Sequence, residues 1–174
     1  MKLATLRELY ITELRDLFSA ENQILKALPK MVKAASSEDL KNAFTEHLEQ
    51  TRTHVERLER IFDKLHTSPK GKKCRGMEGL IEEGKELLEE NAEPEVLDAG
   101  LIAAAQKVEH YEMAGYGCVR TYAKLLGDDQ AAESLQETLN EEGETDKTLS
   151  DLAEGSINLE ATGQHEQAHA SLAR

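Results

Sequence analysis

Glu109 and Glu112 stand three residues apart within Val108-Glu109-His110-Tyr111-Glu112-Met113-Ala114-Gly115-Tyr116. Read at helical period, they share one face with Leu101, Ile102, Ala105, Val108, Tyr116 and Val119. Two carboxylates therefore sit about one turn apart in an otherwise apolar stripe. Carboxylates are seldom fully buried unless they are paired or bind a metal. The chemistry this spacing suggests is metal ligation, provided that other helices bring ligands to the same level.

Other stretches carry matching intrusions. The stripe Leu3, Leu6, Tyr10, Leu14, Leu17, Ile24, Leu28 passes through Glu21. A second stripe, from Leu40 to Phe62, contains His47 and His54, with Gln50 beside them. A third, from Ala132 to Leu152, contains Glu142, Thr145 and Asp146. Glu21 and His54 are 33 residues apart, and so are Glu109 and Glu142. The chain thus reads as two helical hairpins, each presenting polar groups at one height on both arms. Glu21, His54, Glu109, Glu112, Glu142 and Asp146 form the predicted metal set. Oxygen-rich ligation with an imidazole suits iron or manganese better than structural zinc, and the predicted cofactor is a di-iron or di-manganese pair.

Duller explanations stand beside this one. Glu109 and Glu112 could pair with buried Lys or Arg, although no basic residue interrupts the inner stripes. Glu21 could lie on the surface of its helix, and His47 and His54 could be core histidines bonded to Thr or backbone. Glu141 and Glu142 are adjacent, so at most one points inward, and periodicity favours Glu142. Tyr111 points about 100° away from Glu112 on an ideal helix, whereas Tyr116 lies one turn on and can support the ligands. His165 and His169 have i,i+4 spacing suited to a metal but fall in a low-complexity tail.

The elements that must position these groups are helices. Only 3 prolines and 4% aromatic residues accompany a Leu-, Ala-, Glu- and Lys-rich composition. The pattern predicts helices over about 3–35, with a kink at Pro29, and over 39–65, 95–126 and 129–153. A basic Pro/Gly-bearing crossover at 67–76 leads into a shorter amphipathic helix over 77–91. The predicted fold is all-α: a four-helix bundle with a long crossover carrying an extra short helix, over residues 1–154. A polar tail takes up 155–174. Ferritin-like carboxylate proteins meet this description, with a Glu from each of two helices and Glu-x-x-His from the others. Clean Glu-x-x-His motifs are absent here; the nearest equivalents are Gln50-x-x-x-His54 and Glu142-x-x-x-Asp146.

A net charge of −13 with no basic face argues against nucleic acid as a partner. No apolar run approaches the roughly 20 residues of a spanning helix, so no membrane partner is expected. The first residues contain no apolar h-region, and Cys74 and Cys118 form no framework, which predicts reduced thiols in a cytoplasmic protein. Nucleophile-elbow, P-loop and dinucleotide fingerprints are missing, so hydrolase, NTPase and dehydrogenase readings have no foothold.

Several stretches resemble the YciF/YciE family of bacterial stress-associated ferritin-like proteins. They are Ala20-Glu21, His47-Leu48-Glu49-Gln50-Thr51, Met77-Glu78-Gly79-Leu80-Ile81-Glu82-Glu83, the run Ala103 to Glu112, and Glu137 to Glu142 with Thr145, Asp146 and Leu149. The resemblance covers about residues 1–155. It implies a rubrerythrin-like bundle, often a homodimer, with a dinuclear metal centre and no firmly assigned reaction. Glu21, Glu109, Glu112 and Glu142 match the ligand carboxylates. Members often have Glu where this chain has Gln50, which leaves the second helix as the weak corner, with His54 as the available replacement. The expected role is a stress-associated protein handling peroxide, oxygen or iron. The rival reading is a metal-free helical scaffold acting as a dimer. An iron-storage cage differs by size from such a dimer of about 39 kDa, twice the 19.4 kDa chain.

Overall fold

In the computed structural model, residues 3–163 are described. Helices α1 (Leu6–Ala34), α2 (Glu38–Lys64), α4 (Pro94–Leu125) and α5 (Asp129–Leu152) form the bundle, and α3 (Arg75–Glu89) lies in the crossover. A π-helical turn (Ala153–Ile157) and the short α6 (Asn158–Ala161) follow. The described residues contain no strand. The bundle is the ferritin-like one expected. Helix α1 packs on α2 and α4, and α5 packs on α4 and α2, closing a square; α3 rests against α4 and α1.

Local chemistry sets the ends. Thr5 and Glu8 form a reciprocal capping box that starts α1. The helix runs through Pro29 as one element, although the ring removes the N–H that would bond to the Leu25 carbonyl. Ser37 caps α2, and Asp128 caps α5 by accepting from the Ala131 N–H. Gly127, at φ +78°, supplies the left-handed residue that turns α4 into α5. Gly115 lets α1 approach α4, because a Cβ there would stand 2.7 Å from Leu17 Cδ2.

Two cross-links hold the hairpins in register. At one end, buried Asp98 accepts from the Ser36 N–H and the Ser37 N–H, each at 2.8 Å, and from the Ser36 hydroxyl at 2.6 Å. At the other, Lys64 donates to Asp128 at 2.6 Å. These contacts place the start of α4 beside the α1–α2 turn, which makes neighbouring helices antiparallel all round. The basic crossover lies along α1. Arg15 donates to the Ser68 carbonyl and the Thr67 hydroxyl, and Ser19 and Gln23 bond the Cys74 backbone. Cys74 is the buried N-cap of α3 rather than a loop thiol; its Sγ contacts Asp16 and the Tyr111 hydroxyl. Both cysteines are free thiols.

The apolar core falls into two clusters. One gathers Ile24, Leu28, Leu40, Phe44, Leu101 and Ile102 toward the Asp98 end. The other gathers Tyr10, Leu14, Leu58, Phe62, Val119 and Leu135 toward the Asp128 end. Ala153 and Ile157 join the first cluster, so helical, partly buried structure extends past residue 154, the expected end of the bundle. His165 and His169 lie outside the described residues.

Asp98 carries the register between the hairpins, and Asp98→Ala leaves three donors without an acceptor. We expect a loss of about 2–4 kcal/mol, read as a drop in the denaturation midpoint. A change below about 0.5 kcal/mol would show that the turn is held by packing alone.

Candidate metal centre

Between the two apolar clusters lies a polar layer. Glu21 from α1, His47 and His54 from α2, Glu109 and Glu112 from α4 and Glu142 from α5 are all buried there. Each arrives by helical period. Glu21 sits between Leu17 and Ile24 on the stripe of α1. His47 and His54 are seven residues apart, two turns on one face of α2, and Glu109 and Glu112 lie one turn apart on α4.

Ligand atoms of His47, Glu109, Glu112 and Glu142 lie within 4.8 Å of one another, and so do those of Glu21, His54 and Glu142. Glu142 belongs to both groups. His47 Nε2 stands 3.2 Å from Glu109 Oε1, while His54 Nδ1 stands 3.1 Å from Glu142 Oε1 and 3.5 Å from Glu21 Oε1. None of these approaches has the alignment of a hydrogen bond. Both carboxylate oxygens of Glu112 and of Glu142, one each of Glu21 and Glu109, both nitrogens of His47 and Nδ1 of His54 are buried without a hydrogen-bond partner. Buried polar atoms are normally satisfied, and a cluster of this kind needs explanation.

The surroundings orient some members. The Tyr116 hydroxyl donates to Glu21 Oε1. His54 Nε2 meets Glu141 Oε2 at 2.9 Å, and Arg57 grips the same carboxylate through both terminal nitrogens. This contact holds the ring with Nδ1 turned into the layer, the arrangement by which an outer carboxylate orients a ligating imidazole. The Arg57 guanidinium is committed to Glu141. Among the described residues the four carboxylates have no Lys or Arg partner; their ionic contacts are with the two histidines.

Desolvation dominates the electrostatics. Burial, followed by the charge of Glu142, holds Glu109 well above the ordinary carboxylate range. Burial, then Glu21 and Glu142, does the same to Glu112, and burial raises Glu21. For His54, burial disfavours the imidazolium, but Glu142 and Glu21 outweigh it and push the group up to about 11. His47 is lowered by burial.

Five of the six residues singled out from the sequence, Glu21, His54, Glu109, Glu112 and Glu142, are brought together. Asp146 is not. One turn beyond Glu142, it is rotated toward the edge of α4, where it accepts from Gln106 at 3.2 Å and lies 3.3 Å from His110 Nε2. Its place as a ligand has to be corrected for that reason. His47, which the predicted metal set omits, joins the layer; its seven-residue spacing from His54 is the signal for it. Gln50 is half-buried and accepts from the Thr145 hydroxyl at 3.2 Å, tying α2 to α5 beside the layer. Glu141 faces partly outward, and Tyr111 bonds to Asp16, away from the layer.

Fold and layer together define a ferritin-like helical bundle with a buried carboxylate–histidine cluster. Comparison with known proteins gives that class a family. Residues 5–162 match the model of the family described as "Domain of unknown function (DUF892)". Protein YciF of Escherichia coli (strain K12) is 46% identical over 162 residues, covering 92% of this chain and 98% of the relative. The crystal structure of the E. coli stress protein YciF superposes with a TM-score of 0.86 over 90% of this chain and 99% of its own, at 46% identity. YcfI from Rhodopseudomonas palustris gives 0.83 at 43% identity, over 86% and 95%. A protein from Xanthomonas campestris pv. campestris, 18% identical, shares the fold at 0.73 over 94% of this chain and 99% of its own. The chain belongs to the DUF892 family and is a relative of YciF.

A raised carboxylate favours the fold while protonated, so its contribution is complete below about 4.5 and is lost as pH climbs through the raised value. His54, raised from 6.5 to about 11, loses its contribution over that window in the same direction. His47 runs oppositely, contributing above 6.5 and losing that as pH falls. With three carboxylates and His54 on one side, chelator-treated protein is expected to melt progressively lower from pH 5 to pH 9. Glu112→Gln should raise the metal-free melting point at pH 8 by about 2–4 °C or more. A flat profile with an unchanged variant would show that the layer carries no such charge.

Proposed function

We propose that the polar layer is a carboxylate-bridged dinuclear metal centre, with Glu142 shared between two sites. His47, Glu109 and Glu112 complete one site, and Glu21 and His54 complete the other. The observation that carries this reading is the set of buried, unpartnered carboxylate oxygens and imidazole nitrogens that converge from all four bundle helices. Cations bound there would neutralise the carboxylates and occupy the lone pairs that nothing in the chain satisfies. Oxygen-rich ligation with one imidazole per site fits iron or manganese.

A pair of such ions supplies two-electron chemistry toward oxygen or peroxide. The chain's part is to hold and to exclude. Tyr116 fixes Glu21 by its hydroxyl hydrogen bond and is placed to give or take a proton at that oxygen. Arg57 and Glu141 lock the His54 ring, and the apolar clusters above and below keep bulk water out. Because a relative is a stress protein, the role we assign is stress-linked handling of peroxide, oxygen or iron in the cytoplasm, by a homodimer.

Anaerobic loading with Fe2+ or Mn2+ is expected to give close to two metals per chain. A thermal gain of about 2.7 kcal/mol is expected at a hundredfold excess over Kd. Glu142→Gln should weaken both sites, and an iron-loaded sample should change its absorption spectrum on adding peroxide. Less than about one metal per chain, unchanged in Glu109→Ala and without thermal gain, would leave the metal-free scaffold as the better reading.

A further inference from the structure

A cavity of about 290 Å³ lies beneath α3, between that helix, α1 and α4. Its walls are apolar: Met31, Leu80, Ile81, Leu88 and Val108 line it. Buried His47 and Glu109 close its inner end, and His47 Nδ1 and Glu109 Oε2 there have no hydrogen-bond partner. Its remaining charged lining is cationic. Lys26, Lys30, Lys73 and Lys85 are exposed and therefore form the outer rim. Lys73 and Lys85 are paired with Glu78 and Glu82. Lys26 and Lys30, one turn apart on α1, have no carboxylate partner among the described residues.

Three properties together specify a ligand. An apolar cavity favours an alkyl group over water. The volume is many times the roughly 10–15 Å³ that a single water needs, so it has room for a medium-length alkyl chain. Two unpaired ammonium groups at the mouth of a chain with net charge −13 select an anionic head. We propose that this cavity binds a medium-chain carboxylate, with its head on Lys26 and Lys30 and its alkyl chain running inward toward His47 and Glu109. Binding itself does not require the metal centre, although the ligand would end against one of its sites.

The test is calorimetric titration of the full chain, metal-free and metal-loaded, with decanoate below its micellar concentration. 1-Decanol and decyltrimethylammonium serve as neutral and cationic comparisons. Decanoate should bind saturably at one per chain, more tightly than 1-decanol, and the cation should not bind. K26E/K30E should weaken decanoate by about tenfold, the effect of two screened surface charges, and leave 1-decanol unchanged. Gly84 faces the cavity and a Cβ there meets only Ala104 Cβ at 3.7 Å. Gly84→Leu should therefore fill the space and abolish binding of both ligands while circular dichroism stays unchanged. Ala27→Leu, also on the lining, replaces it should that variant unfold. Absence of saturable decanoate binding overturns the proposal, as does decanoate binding that neither variant alters. Because metal-free protein is titrated as well, failure to load metal is read separately from failure to bind decanoate.

Discussion

Carboxylates cost most where water is absent, and this bundle buries four of them at one level with two imidazoles as their only ionic contacts among the described residues. Interior burial of like charges pushes proton affinities up and drives the groups apart. The helices cannot yield to that repulsion without losing the apolar clusters on either side. Those clusters bury Tyr10, Leu14, Leu58 and Phe62 below the layer and Ile24, Leu40, Phe44 and Leu101 above it. Hydrophobic packing therefore holds the acids together, and the acids converge on a space that suits cations. The same packing that stabilises the bundle holds Glu109 and Glu112 where burial raises their proton affinity.

Convergence at one level also constrains the connections. The layer takes groups from four helices, so a slip of one turn in any helix would separate them by about 5.4 Å. Asp98 holds the α1–α2 turn against α4, and Lys64 holds the end of α2 against the start of α5. The crossover is long because α4 must begin beside the α1–α2 turn, at the opposite end of the bundle from the end of α2. Along that path it is tied down by Arg15, Ser19 and Gln23 from α1.

Much of this was legible as periodicity. Glu21, Glu109, Glu112 and Glu142 interrupt stripes that are otherwise apolar, and equal spacing within the two hairpins placed them at a common height. What periodicity could not resolve was rotation at the edge of a stripe. Asp146 follows Glu142 by four residues and reads as its neighbour, yet about 40° of rotation is enough for Gln106 and His110 to hold it at the α4–α5 seam. His47 and His54 lie on the same face; the 33-residue match with Glu21 singled out His54, while the seven-residue spacing between the two admits His47 as well. Nothing in the local sequence marks Asp98, because its partners come from a turn 61 and 62 residues away. The cavity was invisible for a related reason: it depends on how α3 docks across α1 and α4, a matter of packing that no stretch of sequence records.

The two halves of the layer differ in what encloses them. Around Glu21 and His54 the chain is closed: the Tyr116 hydroxyl binds Glu21, and Arg57 with Glu141 seals the outer edge of His54. Around His47 and Glu109 it is open toward the cavity under α3. Gln50 does not alter that balance, because its amide oxygen is engaged by Thr145. On the second helix, His47 rather than Gln50 stands within reach of Glu109, Glu112 and Glu142. An approach to the layer from the cavity meets His47 and Glu109 first, and it reaches Glu21 and His54 only across the carboxylate of Glu142 that both groups share. The asymmetry is one of enclosure: one half borders an apolar cavity, and the other is sealed by side chains of the bundle itself.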